Sequence, residues 1–194
     1  MKLVLTAFCL ALTIGYSTAG TAANDLSVQA KGLGPAVTVQ ARARIRAPRS
    51  VIWETLTDYE RLPQFVPGMR NSRVITRRGA SAVVEQKGQA GFLIFSYPID
   101  VVVESVELPP GVIEIHVLRG NVKQLDGRYV IERDPLDSEG HVLRWHGVIE
   151  PALALPSFIS APLVRASIHD QFLGVVREIE RRNAQRMAAA GHGK

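Results

Sequence analysis

The stretch VTVQARARIRA, residues 37–47, alternates without a break. Val37, Val39, Ala41, Ala43 and Ile45 fall on one face, and Thr38, Gln40, Arg42, Arg44 and Arg46 fall on the other. Successive side chains of a strand point to opposite sides, so this pattern specifies an antiparallel sheet with one dry face and one wet face. A dry face must be covered, and the remainder of the chain has to supply the cover.

Most of that remainder is more sheet. From Met69 to Glu150 the punctuation is that of strands and hairpins, with strands expected at about 70–77, 81–90, 93–107, 112–119, 127–133 and 142–150. The breaks are RRGA, AG, LPPG, RGNVKQLDG and DPLDSEGH. Pro98 has no N–H to give a ladder, which marks an edge or a bulge within the longest strand. A shorter strand, LSVQA, and a turn, KGLGP, come before residue 37.

Helical spacing occurs in two places. After Pro48 and Ser50, the residues Val51, Ile52, Leu56 and Tyr59 recur at the helical period, and a second short helix is expected around Arg61–Phe65, ended by Pro67–Gly68. Near the C-terminus, Ala161, Val164, Ile168, Phe172, Val175 and Ile179 form one narrow stripe, with Asp170, Arg177 and Arg181 opposite. Pro162 cannot donate to a carbonyl four residues back. The regular helix is therefore expected to begin near Ser160, capped by that serine, with 152–159 as a loop or separate turn. The tail from 188 to 194 is expected to fray. The resulting fold class is α+β.

At 194 residues and 46% hydrophobic composition the chain can bury a core of its own. Residues 1–22 are set apart: Lys2, the apolar Leu3–Ile14 and the small residues of STAGTAA have the shape of a secretory signal peptide. The apolar run is shorter than the ~20 residues a membrane span requires. Export to the periplasm or the exterior is the expectation. The single cysteine, Cys9, lies in that leader, so the mature chain has no thiol chemistry, zinc ribbon or disulfide. A net charge of +5, part of it in Arg42, Arg44 and Arg46, allows transient contact with anionic membrane surfaces, although ordinary solvated faces are the simpler explanation. Nucleic acid is not expected, since basic and aromatic residues do not interleave.

The run VIWETLTDYERLPQFVPGMRNSRVI (51–75) resembles the opening of the START-related (SRPBCC) superfamily, in particular its coenzyme Q-binding and polyketide cyclase/dehydrase branch. The matching elements are Trp53, Asp58-Tyr59, Pro63, Phe65, Pro67 and Ser72-Arg73-Val74, followed by GRYVIE at 127–132 and the Pro151–Phe158 approach to the last helix. The resemblance implies a helix-grip: a curved antiparallel sheet of about seven strands wrapped on a long C-terminal helix. Residues 23–36 would form an N-terminal strand and turn, and 37–187 the helix-grip domain. In that fold the last helix is the lid of an apolar cavity.

With that fold in place, the strand and helix faces nominate ligand contacts. These are Phe65, Val66 and Phe158 at the mouth, Phe95, Tyr97, Ile115, Tyr129 and Trp145 on the strands, and Val164, Ile168 and Phe172 on the last helix. Tyr97, Tyr129 and Trp145 each add a polar tip. Arg119 shares the parity of Ile115 and Val117 and is the one candidate for a polar anchor, with solvent as the simpler destination. No H-E-x-x-H, G-x-S-x-G, phosphate-cradling glycine loop or metal-type cluster is present, so no cofactor or metal is expected. The function expected is reversible binding of a hydrophobic small molecule or lipid by a monomer, with a quinone or isoprenoid suggested by the resemblance alone. The alternatives are a cyclase- or dehydrase-like enzyme on an apolar substrate, and a protein-interaction module with a collapsed cavity.

Overall fold

A computed structural model describes residues 25–92, 95–153 and 156–191. The leader and its cleavage region lie outside the described residues, as do 192–194. The elements are β1 (Ser27–Leu33), β2 (Ala36–Ile45), α1 (Arg49–Leu56), a 3₁₀ helix (Tyr59–Gln64), β3 (Met69–Arg78), β4 (Ser81–Phe92), β5 (Phe95–Leu108), β6 (Val112–Gly120), β7 (Val122–Asp134), β8 (Asp137–Pro151) and α2 (Ser157–Gly191). The strands form one antiparallel, curved sheet in the order β1-β2-β8-β7-β6-β5-β4-β3. The fold is the expected α+β helix-grip. It has eight strands rather than about seven, because the short N-terminal strand pairs with β2 along its whole length, Ser27↔Arg42 to Leu33↔Ala36.

The alternation of 37–47 decides which way the sheet faces. Val37, Val39, Ala41, Ala43 and Ile45 are all buried, and Leu143 and Trp145 of the paired β8 join them on the inner face. Against this face lie α1, through Val51, Ile52 and Leu56, and α2, through Val175, Val176 and Ile179. The two edges are protected differently. β3 is lined with Arg70, Arg73, Arg77 and Arg78, charges that discourage further strand pairing. At the β1 edge α2 lies alongside, and Arg165 Nε donates to the Val28 carbonyl at 3.1 Å.

Pro98 lies where only one neighbour pairs. It faces Gln89 of β4, while β6 joins β5 only from Val101 onward. On that open side Asn121 supplies the missing bonds, donating from Nδ2 to the Pro98 carbonyl at 2.6 Å and accepting from the Asp100 N–H at 2.9 Å.

Two helix expectations are corrected. α2 begins at Ser157, not near Ser160, and Pro162 lies inside it. The Ile159 and Ser160 N–H groups both donate to the Pro156 carbonyl, so the helix is under way before the proline. Pro162 removes one bond, to a carbonyl in the first turn at Phe158, whose side chain stands in solvent, and the loss there is small. Ser160 is buried with its hydroxyl unpaired, so it is no cap. At the other end α2 continues through Gly191, where fraying was expected from 188: Ala188, Ala189 and Ala190 are strong helix formers.

A close crossing fixes the position of α2. A Cβ at Gly174 would lie 2.2 Å from the Phe65 carbonyl oxygen and 2.6 Å from Pro67 Cδ. Gly174→Ala gains about 1 kcal/mol in helix propensity but pushes α2 off the backbone of this turn, and overpacking of that kind costs about 1–3 kcal/mol. The expected net result is a lower unfolding midpoint in urea, and an unchanged or raised midpoint would show that the crossing is not tight.

Candidate functional site

The two halves of α2 meet the sheet differently. Toward its C-terminus Val176 and Ile179 are packed solid against the inner face, whereas Leu163, Val164, Ser167, Ile168 and Gln171 border open space. That space is a cavity of about 220 Å³. Its sheet wall is Ile99, Val101 and Val103 of β5, Ile113 and Ile115 of β6, Leu125 and Tyr129 of β7, and Trp145 and Ile149 of β8. Leu56, Tyr59, Leu62 and Val66 close the side nearest α1. The exposed lining residues Gly68, Lys87 and Gln89 mark the opening, between the turn after Val66 and β4.

Two glycines shape the inner wall. Gly127 and Gly147 are register partners on β7 and β8. A Cβ at either would lie 2.8 or 2.7 Å from Trp145 Cζ2, so the indole lies directly against both backbones. Tyr129, opposite Trp145, is held at a ring-centroid distance of 6.3 Å from it and stacks on Phe172, also at 6.3 Å with planes 5° apart. These aromatic contacts fix the direction of the phenol.

The polar groups of the lining differ in how they are used. Tyr97 donates its hydroxyl to the Asn121 carbonyl. The Tyr59 hydroxyl donates to Glu107 Oε1 at 3.1 Å, and burial, with Glu107 beside it, raises its pKa well above the ordinary phenol value. Gln171 Nε2 donates to Ser167 Oγ at 3.0 Å. The Tyr129 hydroxyl has no hydrogen-bond partner among the described residues, and burial pushes its pKa up to about 12. Its environment thus holds it as a proton-bearing donor at any physiological pH. Among the described lining residues no carboxylate or histidine appears.

Of the residues nominated from the sequence, Val66, Tyr97, Ile115, Tyr129, Trp145, Val164 and Ile168 line the cavity. Others are elsewhere. Phe172 is 2% exposed and lies behind Tyr129 as its support. Phe65 is half-buried on the far side of its turn, beneath the Arg182 guanidinium at 5.5 Å. Phe158 is 77% exposed. The side chain of Phe95 lies outside the described residues. Arg119 is corrected by a bulge: Val117 pairs with Val103 but Arg119 with Val102, so Leu118 is skipped and Arg119 turns to the outer face. Alternation from Ile115 could not reveal that skipped residue. Leu56, Tyr59 and Leu62 were missed because their helical spacing is equally that of a filled core, and Gly127 and Gly147 because a glycine in a strand carries no sign of what lies on it.

The wall formed by α1 and the 3₁₀ helix is fastened to α2 by charge. Glu178, 7% exposed, accepts from Arg181 Nε, from Arg181 Nη2 and from Arg182 Nε, each at 2.7 Å. Arg182 Nη2 then donates to Asp58 Oδ2 at 2.8 Å, at the head of the 3₁₀ helix. Arg186 reaches Glu54 of α1 in the same way.

Residues 45–166, more than half of the chain, match the family described as polyketide cyclase/dehydrase and lipid transport. The chain belongs to that family. The match agrees with the START-related (SRPBCC) resemblance of the sequence. Among solved structures it is similar to the STAR-related lipid transfer protein of Xanthomonas axonopodis, at 14% identity and a TM-score of 0.66 over 80% of this chain and 93% of that one. It is also similar to the Zhui aromatase/cyclase of Streptomyces sp. R1128, at 16% identity and a TM-score of 0.64 over 80% and 98%. A START superfamily protein of Mycobacterium smegmatis aligns at 17% identity and a TM-score of 0.59 over 76% and 97%. At these identities the likeness is one of fold. No curated protein sequence matches this START-related chain.

The fastening can be tested by acid. The hydrogen bonds from Arg181 lead in holding the Glu178 carboxyl down to about 2, against burial, which acts to raise it. A depressed carboxyl contributes stability above its unfolded value near 4.5 and loses it as pH falls toward 2. Glu178→Gln is expected to cost about 1–3 kcal/mol at neutral pH. The variant should also lose the part of the acid slope that lies between those two values, read from urea midpoints across pH. Parallel acid slopes for the two proteins would contradict this.

Proposed function

We propose that this START-related domain reversibly binds and carries a small hydrophobic molecule in the cavity beneath the first half of α2, and that it does so after export, as a monomer. The observation that carries the reading is the division of α2, which fills the core with one half and roofs an apolar space with the other. An apolar cavity of about 150 Å³ already takes up benzene or xenon. The present one, about 220 Å³, suits a ring-sized group, smaller than the 300–1,000 Å³ typical of drug-sized ligands. A longer chain attached to that ring would leave through the opening at Gly68 and Lys87, a shape that fits a quinone or other isoprenoid. Tyr129 would donate its free hydroxyl to a carbonyl or hydroxyl on the ring.

Carriage is favoured over cyclase-like catalysis because the described lining residues include no carboxylate or histidine placed to exchange a proton near neutral pH. The open cavity likewise supports binding over a collapsed interaction module. The exposed Leu153 and Phe158, flanking the start of α2, are apolar groups suited to touching a membrane surface transiently during exchange. Two relatives by fold carry the names lipid transfer protein and aromatase/cyclase, and the first of these names supports carriage.

The test is uptake of a fluorescent apolar probe by protein purified from the periplasm, together with organic extraction of whatever it carries. Ile168→Trp fills the roof and should weaken uptake at least about tenfold while retaining cooperative unfolding. Tyr129→Phe should weaken carbonyl-bearing ligands by about 1 kcal/mol and leave pure hydrocarbons unaffected. If the wild-type protein neither carries nor takes up any apolar molecule, the carrier reading fails; uncleaved Met1 on cytoplasmic protein would remove the export reading.

A further inference from the structure

The three arginines on the wet side of β2 have different fates. Arg44 lies 3.2 Å from the buried Asp134 carboxylate, and Arg46 Nε donates to Asp137 at 2.7 Å. Arg42 has no carboxylate partner among the described residues, and its Nε is buried without a hydrogen bond. It is also placed directly opposite another arginine, since Arg42 pairs with Arg144 in the β2–β8 register. Like charges facing each other across a sheet repel. Arg144 is drawn aside to Glu132 at 2.9 Å on the exposed surface, which leaves Arg42 uncompensated.

Around this charge the side chains of the outer face leave a depression between them. A shallow space of about 270 Å³ is lined by Ser27, Gln29, Gln40, Arg42, Arg144 and His146, with no carboxylate in the lining. Register accounts for the grouping: Ser27 faces Arg42, Gln29 faces Gln40, and Gln40 faces His146, so three strands bring their donors to one spot. This spot is on the opposite side of the sheet from the apolar cavity.

We propose that this outer concavity binds a phosphate-type oxyanion. The guanidinium of Arg42 offers a planar fork of donors that matches such a group, and an anion seated between Arg42 and Arg144 would offset their repulsion. Gln29, Gln40 and Ser27 would donate to the remaining oxygens. The depression is open to solvent, so it admits a phosphate monoester or a lipid headgroup phosphate as well as the inorganic ion. The site does not depend on the interior cavity's being a carrier site.

The experiment follows the arginine Nε–H signals of the whole protein during titration with inorganic phosphate, then glycerol 3-phosphate. Vesicles of phosphatidylcholine with and without phosphatidic acid are added in parallel. A saturable shift of the Arg42 signal is expected, and Arg42→Gln should bind at least about tenfold more weakly. Arg46→Gln, whose guanidinium is exposed and already paired, should bind as the wild type does. Should Arg42→Gln fail to fold, Arg144→Gln is expected to show the same loss. Binding of the soluble phosphates names a free metabolite as the source, and Arg42-dependent binding confined to phosphatidic acid vesicles names a bilayer. No saturable binding by the wild type, or binding undiminished in the folded Arg42 and Arg144 variants, overturns the proposal. Probe uptake in the interior cavity, measured on the same samples, is expected to be unaffected by Arg42→Gln.

Discussion

One helix has to cover the inner face of eight strands, and geometry does not allow it to do so completely. A helix is about 10–12 Å across with its side chains, while neighbouring strands are about 4.8 Å apart, so a single helix spans only two or three strands. Curvature reduces the shortfall by bringing the sheet around α2, and α1 with the 3₁₀ helix closes one flank. Where Ala41 and Ala43 let α2 come close, the gap is filled by Val176 and Ile179. Where β5 to β8 bend away and present valine, isoleucine and aromatic side chains, it is not filled. The cavity is thus a consequence of element count and curvature, and the lining merely determines what it accepts.

A roof of this kind is useful only if its position is defined. The segment from Asp58 to Pro67 does this with two unlike contacts. At Gly174 the absence of a side chain lets α2 lie directly on the Phe65 carbonyl and Pro67, a steric stop. One to two turns later Glu178 gathers Arg181 and Arg182, and Arg182 extends to Asp58 and over Phe65, an electrostatic clasp. Asp58, Phe65 and Pro67, prominent in the sequence as a motif, therefore do not border the cavity. Their part is to hold the roof over residues that do, among them Tyr59, Leu62 and Val66 on the same short segment.

This division explains how far the sequence could be read. The strand pattern and the single long stripe were legible because burial of one face imposes a period of two or of 3.6. The inner face of β2 was therefore readable residue by residue. Arg119 was not, because the bulge that skips Leu118 leaves no mark in composition and reverses the face of the residues after it. In the sequence Pro162 reads as a barrier and places the start of α2 near Ser160, yet a lost bond in the first turn at Phe158, whose side chain is exposed, costs little, and the helix begins at Ser157. Phe172 was assigned to ligand because a residue on the apolar stripe can equally face the cavity or brace the aromatic ring that does.

The same alternation that makes one face of β2 dry gives the other face its charges, and the two cannot be optimised separately. Residues opposite one another across β2 and β8 must match on both sides of the sheet. Inside, Ala41 facing Trp145 and Ala43 facing Leu143 match small against large. Outside, the same register places Arg42 against Arg144. A shift by one residue would relieve the arginines but would turn Val37, Val39 and Ile45 to water. The burial of those side chains, each worth roughly 1.5–3 kcal/mol, outweighs the repulsion of one partly solvated charge pair. The register is thus dictated from within, and the cationic concavity outside is retained as its counterpart, ready to be satisfied by an anion rather than by another arrangement of the strands.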